Sequence, residues 1–109
     1  MKRKPNKQVA PLSYNATLVL RAMTQGYEFG FDIMRVTELP SGTVYPLLRR
    51  LEAGKLVDSG WEDDESAHDE GRPARRYYAI TKAGERQLEA ALKRIASQQR
   101  LLGDLSAPA

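Results

Sequence analysis

The chain has 109 residues, enough for one domain with a small core and too few for a separate catalytic unit. Its 41% apolar and 28% charged content is ordinary for a folded domain, and no apolar run approaches the roughly 20 residues of a membrane span, so no membrane partner is expected. The absence of cysteine excludes disulfides, thiolate metal sites and cysteine nucleophiles, and fits a reducing cytoplasm.

The net charge of +3 hides an asymmetry. Six of the 14 acids (Glu62, Asp63, Asp64, Glu65, Asp69, Glu70) fall in one nine-residue stretch without Lys or Arg, so the rest of the chain carries 17 minus 8, or +9. A basic body points to a polyanionic partner, because neutralising phosphates is the main sequence-independent term in DNA affinity; a merely solvated basic surface is the plain alternative.

In chain order, residues 1–11 hold Lys2, Arg3, Lys4 and Lys7 but no apolar segment after them, which predicts a flexible basic arm that tracks phosphates or simply aids solubility. Over 13–25 the apolar residues Tyr14, Leu18 and Ala22, widened by Val19 and Met23, predict an amphipathic helix capped by Ser13 and stopped by Gly26. A shorter helix is expected over 30–37, burying Phe31, Ile33 and Met34 and ending before Pro40. Ser41 is placed to cap a third helix in which Val44, Leu47, Leu48 and Leu51 form the core face and Gly54 the end. Pro46 removes an N–H that would bond the carbonyl of Gly42 and should open or bend the first turn.

Segments 56–61 and 75–81 read as two strands, with Tyr78 and Ile80 on the inner face and the acidic stretch as a long hairpin tip. Thr81 can cap a fourth helix from 82 to about 102, with Leu88, Leu92, Ile95 and Leu102 in a heptad-like seam broken by Gln99. The last residues look frayed.

Three helices followed by a hairpin is the order of a winged helix-turn-helix: mainly α with a β-hairpin wing (α+β), the third helix entering a major groove and the wing lying along the backbone or minor groove. The domain is expected over 12–82, a dimerisation helix over 83–103 and a tail over 104–109. The third helix would present Ser41, Gly42, Thr43, Tyr45 and Pro46 near its start and Arg49 and Arg50 further along. Small residues let a helix approach the groove, and an arginine there reads guanine or clamps phosphate. The local alternatives are Tyr45 packing on a neighbouring helix and Arg49 pairing with Glu52 or Glu38. In the wing, Arg72, Arg75 and Arg76 can enter a narrow minor groove or straddle phosphates, or instead pair with the nearby acids. The seam Leu88, Leu92, Ile95 and Leu102 has little left to cover in so small a domain, which favours a homodimer; packing back on helix one is the alternative.

The stretches Gly30-Phe31-Asp32-Ile33, Ser41-Gly42-Thr43-Val44-Tyr45-Pro46-Leu47-Leu48-Arg49-Arg50-Leu51-Glu52 and Gly71-Arg72-Pro73-Ala74-Arg75-Arg76-Tyr77-Tyr78-Ala79-Ile80-Thr81-Lys82-Ala83-Gly84 resemble the PadR family of winged-helix regulators over roughly 13–102. The resemblance implies a dimer assembled through its C-terminal helix, binding double-stranded DNA at an inverted-repeat operator and usually repressing transcription until an effector or stress signal releases it. It leaves room for a small-molecule effector and implies no cofactor. The single terminal helix matches the shorter members of the family, and the acidic tip departs from a DNA-facing wing.

Catalysis finds no support: the one histidine, His68, sits in the acidic tip, and no phosphate-cradling glycine motif is present. His68 with its acidic neighbours reads as a solvated loop rather than a metal site. Trp61 and Tyr77 either border an apolar pocket or pack. The rival from another class is a winged-helix protein-interaction module that never touches DNA; a winged regulator of MarR type is disfavoured by the tyrosine-proline helix.

Overall fold

The computed structural model describes residues 11–106; the basic arm before Pro11 and residues 107–109 lie outside them. Among the described residues the order is α1 (Tyr14–Thr24), α2 (Gly30–Thr37), α3 (Ser41–Ala53), β1 (Val57–Trp61), α4 (Asp64–Asp69), β2 (Arg76–Ile80) and α5 (Lys82–Ser106). The mainly helical winged architecture expected from the sequence is present.

The helix ends follow from local chemistry. Ser13 caps α1, its side chain accepting from the Ala16 N–H at 3.0 Å. Gly26, at φ 98°, supplies the left-handed residue after α1, letting the Tyr27 and Gly26 N–H groups bond the carbonyls of Ala22 and Met23. Two expectations fail at α3. Ser41 is not its cap but its first residue; Pro40 precedes it and provides no side-chain cap. Nor does the first turn open at Pro46: the helix continues through it, and the Thr43 and Val44 N–H groups both bond the Pro40 carbonyl at its start. Gly54 is the C-cap as expected, yet the left-handed residue is Lys55 at φ 64°, held by Lys55 N–H to Glu52 O and Leu56 N–H to Leu51 O, both 2.9 Å. Leu51 and Leu56 are both buried, the apolar contact that accompanies this stop.

β1 and β2 pair antiparallel with Gly60 opposite Tyr77 and Trp61 opposite Arg76. A bridge from Phe29 to Tyr77, and the Tyr78 N–H bonding Glu28 O at 2.8 Å, tie β2 to the entrance of α2. The stretch between the strands is not a plain hairpin tip, since it contains α4. Asp63 caps that helix, Asp64 and Glu65 occupy its first turn where carboxylates suit the positive helix end, and Ala67 anchors it at 1% exposure. Gly71, at φ 70°, ends it through Gly71 N–H to His68 O and Arg72 N–H to Ala67 O.

The core is made by α1, α2 and α3, closed by β1, Tyr78 and the first turns of α5; Val19, Leu20, Ile33, Val44, Leu48 and Val57 are fully buried. Ile33, Val44, Leu47, Leu48 and Leu51 lie where the periodicity put them. Tyr14 and Phe31 do not: they are 63% and 61% exposed. α1 packs on α2, α3 and α5 together, so its buried surface turns toward Ala16, Val19, Leu20 and Met23 and away from Tyr14. Thr81 caps α5 by accepting from the Gly84 N–H at 3.0 Å and donates to Lys55 O at 2.9 Å, which seats the helix on the turn after α3.

Candidate nucleic-acid interface

α3 divides its surface cleanly. The core residues lie on one side; Gly42 and Arg49 are exposed on the other, flanked by Tyr45 and Glu52 toward the hairpin and by Arg50 toward α1. A Cβ placed on Gly42 would meet nothing within 4 Å, so the start of the outward face is open. Ser41 is exposed, while Thr43 and Pro46 are half-buried. Among the described residues neither Arg49 nor Arg50 has a carboxylate partner, because Glu52 is already engaged elsewhere. The pairing of Arg49 with Glu52 or Glu38 weighed above is therefore absent. Tyr45 does pack on a neighbour: a Cβ on Gly30 would stand 2.5 Å from its ring, yet 36% of the residue is exposed.

The wing arginines are engaged within the chain. Arg72 donates two hydrogen bonds to Glu62 and one to Glu70. Glu62 also accepts from the Arg75 backbone N–H at 2.9 Å and from its guanidinium at 3.3 Å, and the Glu62 N–H bonds Arg75 O at 2.8 Å. The hydrogen bonds from Arg72, then those from Arg75, hold the Glu62 carboxyl well below the usual carboxylate range. Glu62 in turn, opposed by partial burial, raises the Arg72 guanidinium above its ordinary value. These residues form the neck from which α4 projects. Arg75 lies 3.8 Å over the Phe29 ring. Arg76 bonds Ser59 Oγ at 2.7 Å, approaches Glu52 at 3.5 Å, and sits 5.4 Å from the Trp61 ring. The local pairing with the nearby acids named as the alternative is thus what the geometry shows for Arg72 and Arg75, whereas Arg76 turns to Glu52 on α3; Arg72 is the most enclosed of the three.

Between the start of α2, α3 and the hairpin lies an open cleft of about 390 Å³ bordered by Phe29, Phe31, Tyr45 and Trp61, with Arg75 and Arg76 at its edge. Phe31 borders this cleft rather than the core in which helical periodicity places it. Tyr77 instead lies over Gly60, where a Cβ would stand 2.6 Å from its hydroxyl. Burial pushes the Tyr78 hydroxyl up from its ordinary value.

Along α5 the seam changes character. Leu88 is 5% exposed and Ala91 fully buried, both in the chain's own core, as packing back on α1 requires. Ile95 is half-buried, and exposure rises from 41% at Leu92 to 64% at Leu102. The helix continues through Gly103 to Ser106, past the expected end, and adds exposed Leu101 and Leu105. No helix among the described residues is long and apolar enough to cross a membrane, and no cluster of three or more His, Asp or Glu there is arranged to hold a metal ion.

Comparison with curated proteins finds no match. Solved structures are similar throughout the fold. A PadR family transcription regulator from Clostridium difficile aligns with a TM-score of 0.77 at 21% identity, covering 87% of this chain and 100% of the other. A PadR family regulator from Eggerthella lenta aligns at 0.68 and 27% identity, covering 85% and 84%. The PcaV transcriptional regulator from Streptomyces coelicolor, solved in complex with its natural ligand, aligns at 0.74 and 17% identity, covering 89% and 64%. The profile of the transcriptional regulator PadR-like family matches residues 19–90, from the middle of α1 into α5 and across the whole α3–hairpin surface. The chain belongs to the PadR-like family of transcriptional regulators.

Proposed function

We propose that the chain is a sequence-specific regulator that binds double-stranded DNA as a homodimer at an inverted-repeat operator and represses transcription there. The observation that carries this reading is the outward face of α3, where Gly42 is open and Arg49 has no carboxylate partner among the described residues. A helix face with small residues at its start and an unneutralised guanidinium a turn or two later suits a major groove. Tyr45 and Arg50 flank that face. Of the wing arginines, Arg75 keeps 44% of its side chain exposed and is the one we assign to phosphate, while Arg72 holds the neck of the wing.

Residues 12–82 form the DNA-binding unit in this reading, 83–103 the dimerisation helix, and 1–11 a basic arm. The exposed half of α5 supports the dimer: Leu92, Leu101 and Leu105 need a cover that the chain's own core does not extend to. A 25-residue helix is about 37 Å long, of the order of one DNA turn between half-sites. The ligand-bound PcaV neighbour and the cleft beside Tyr45 support a small-molecule effector.

The test is a gel-shift and anisotropy titration against the DNA upstream of the chain's own gene and against a random duplex, over a salt series. Preferential, salt-sensitive binding with a dimer-sized footprint is expected. Equal weak binding to that fragment and to a genomic library would turn the reading toward a protein-interaction module.

A further inference from the structure

We propose that Glu52 and Ser59 are positioning residues that pin Arg76 to α3 and so fix the angle of the hairpin beside it; the consequence for DNA rests on the reading above, the geometry does not.

Three elements meet in one relay. Ser59 Oγ, in the middle of β1, donates to Glu52 Oε2 of α3 at 2.6 Å. Arg76 Nη2, on β2, donates to the same Ser59 Oγ at 2.7 Å and lies 3.5 Å from Glu52 Oε2. The serine hydroxyl has one proton, which goes to the carboxylate, so its lone pairs are what the guanidinium finds. Each group therefore satisfies the next. Removing the hydroxyl breaks both hydrogen bonds without altering any charge and leaves only the longer 3.5 Å approach of Arg76 to Glu52.

The position of the relay gives it a role. Among the described residues it is the polar side-chain link between α3 and the hairpin, whereas the backbone ties of β2 run to the entrance of α2 and those around Thr81 to the turn after α3. A two-stranded hairpin is marginal by itself, so its orientation is set by whatever holds it to the body. Arg76 is turned to Glu52 and Ser59, with the ring of its cross-strand partner Trp61 beside it, and its charge is matched by Glu52. It serves the spacing between two DNA-contacting elements rather than contacting phosphate.

The half-exposed ion pair adds little to global stability, so the measurement must read the hairpin itself. Amide hydrogen exchange and acrylamide quenching of Trp61, the sole tryptophan, are compared in the DNA-free parent, Ser59→Ala and Glu52→Gln. Exchange over 59–61 and 76–78 should rise about fivefold in both variants, with Trp61 more readily quenched and the amides of α1 and α3 unchanged. On DNA, both variants should lose preference for the upstream fragment over a random duplex. Simple charge removal predicts a different pattern: Glu52→Gln would tighten both DNAs with their ratio unchanged, and Ser59→Ala would change neither. Unchanged hairpin exchange in both variants, or tighter upstream binding by Glu52→Gln, overturns the proposal. A parent without DNA preference defeats the DNA-binding reading instead, and the exchange data then decide the relay alone.

Discussion

Gly84, in the first turn of α5, meets the Leu56 carbonyl so closely that a Cβ on it would overlap the oxygen, at a separation real Cβ atoms do not show. The obstacle is backbone, fixed by Thr81 N–H to Leu56 O at 3.0 Å, and cannot swing aside. Gly84→Ala should therefore lower stability by about 1–3 kcal/mol, a fall of roughly 10 °C in Tm. Calorimetry checks it, and an unchanged Tm would mean that α5 can lift off the turn freely.

Arg49→Ala should reduce binding to the preferred DNA by about 5- to 100-fold while weakening a random duplex much less, as loss of a base contact does. Equal losses on both duplexes would assign Arg49 to phosphate. Circular dichroism should show an unchanged fold, because Arg49 is exposed.

The two halves of α5 should answer differently to mutation. Leu88→Ala removes a core side chain and should cost about 2–5 kcal/mol of stability. Leu102→Lys, at a position 64% exposed, should leave the folded unit intact and shift sedimentation from dimer to monomer. A Leu102→Lys protein that still sediments as a dimer would place the interface elsewhere.

Glu62 predicts an acid dependence of the wing. Its folded pKa is depressed by Arg72 and Arg75, so its contribution is complete above the ordinary value of 4.5 and is lost progressively as pH falls below it. Glu62→Gln should loosen residues 62–75, read as faster hydrogen exchange at pH 7, and the difference from the parent should shrink as the pH falls below about 4. A difference that is constant with pH would mean that the carboxyl acts through its shape and not its charge.

Much of this site was legible from residue order. The helix over 30–37 and the core face Val44, Leu47, Leu48 and Leu51 follow from 3.6-residue spacing alone, and the strands follow from β-branched and aromatic content to within a residue or two. Arg49 and Gly42 share the outward face for the same reason. α4 escaped because its acids suggest a solvated loop, and only Ala67 under the helix and Gly71 after it betray a turn that folds back.

What the sequence determined by itself is what depends on neighbours along the chain: helix periods, caps, the left-handed stop at Gly26, and a basic body with one acidic segment. Tertiary structure decided which surfaces those elements spend on each other. It left Tyr14 and Phe31 outside the core, took Leu88 into it, bound Arg72 to Glu62 across ten residues, and turned Arg76 toward Glu52 on another element. Periodicity records that a face is apolar or charged, but the partner that covers or neutralises it is chosen by packing in three dimensions, where residues distant in sequence compete for the same contact.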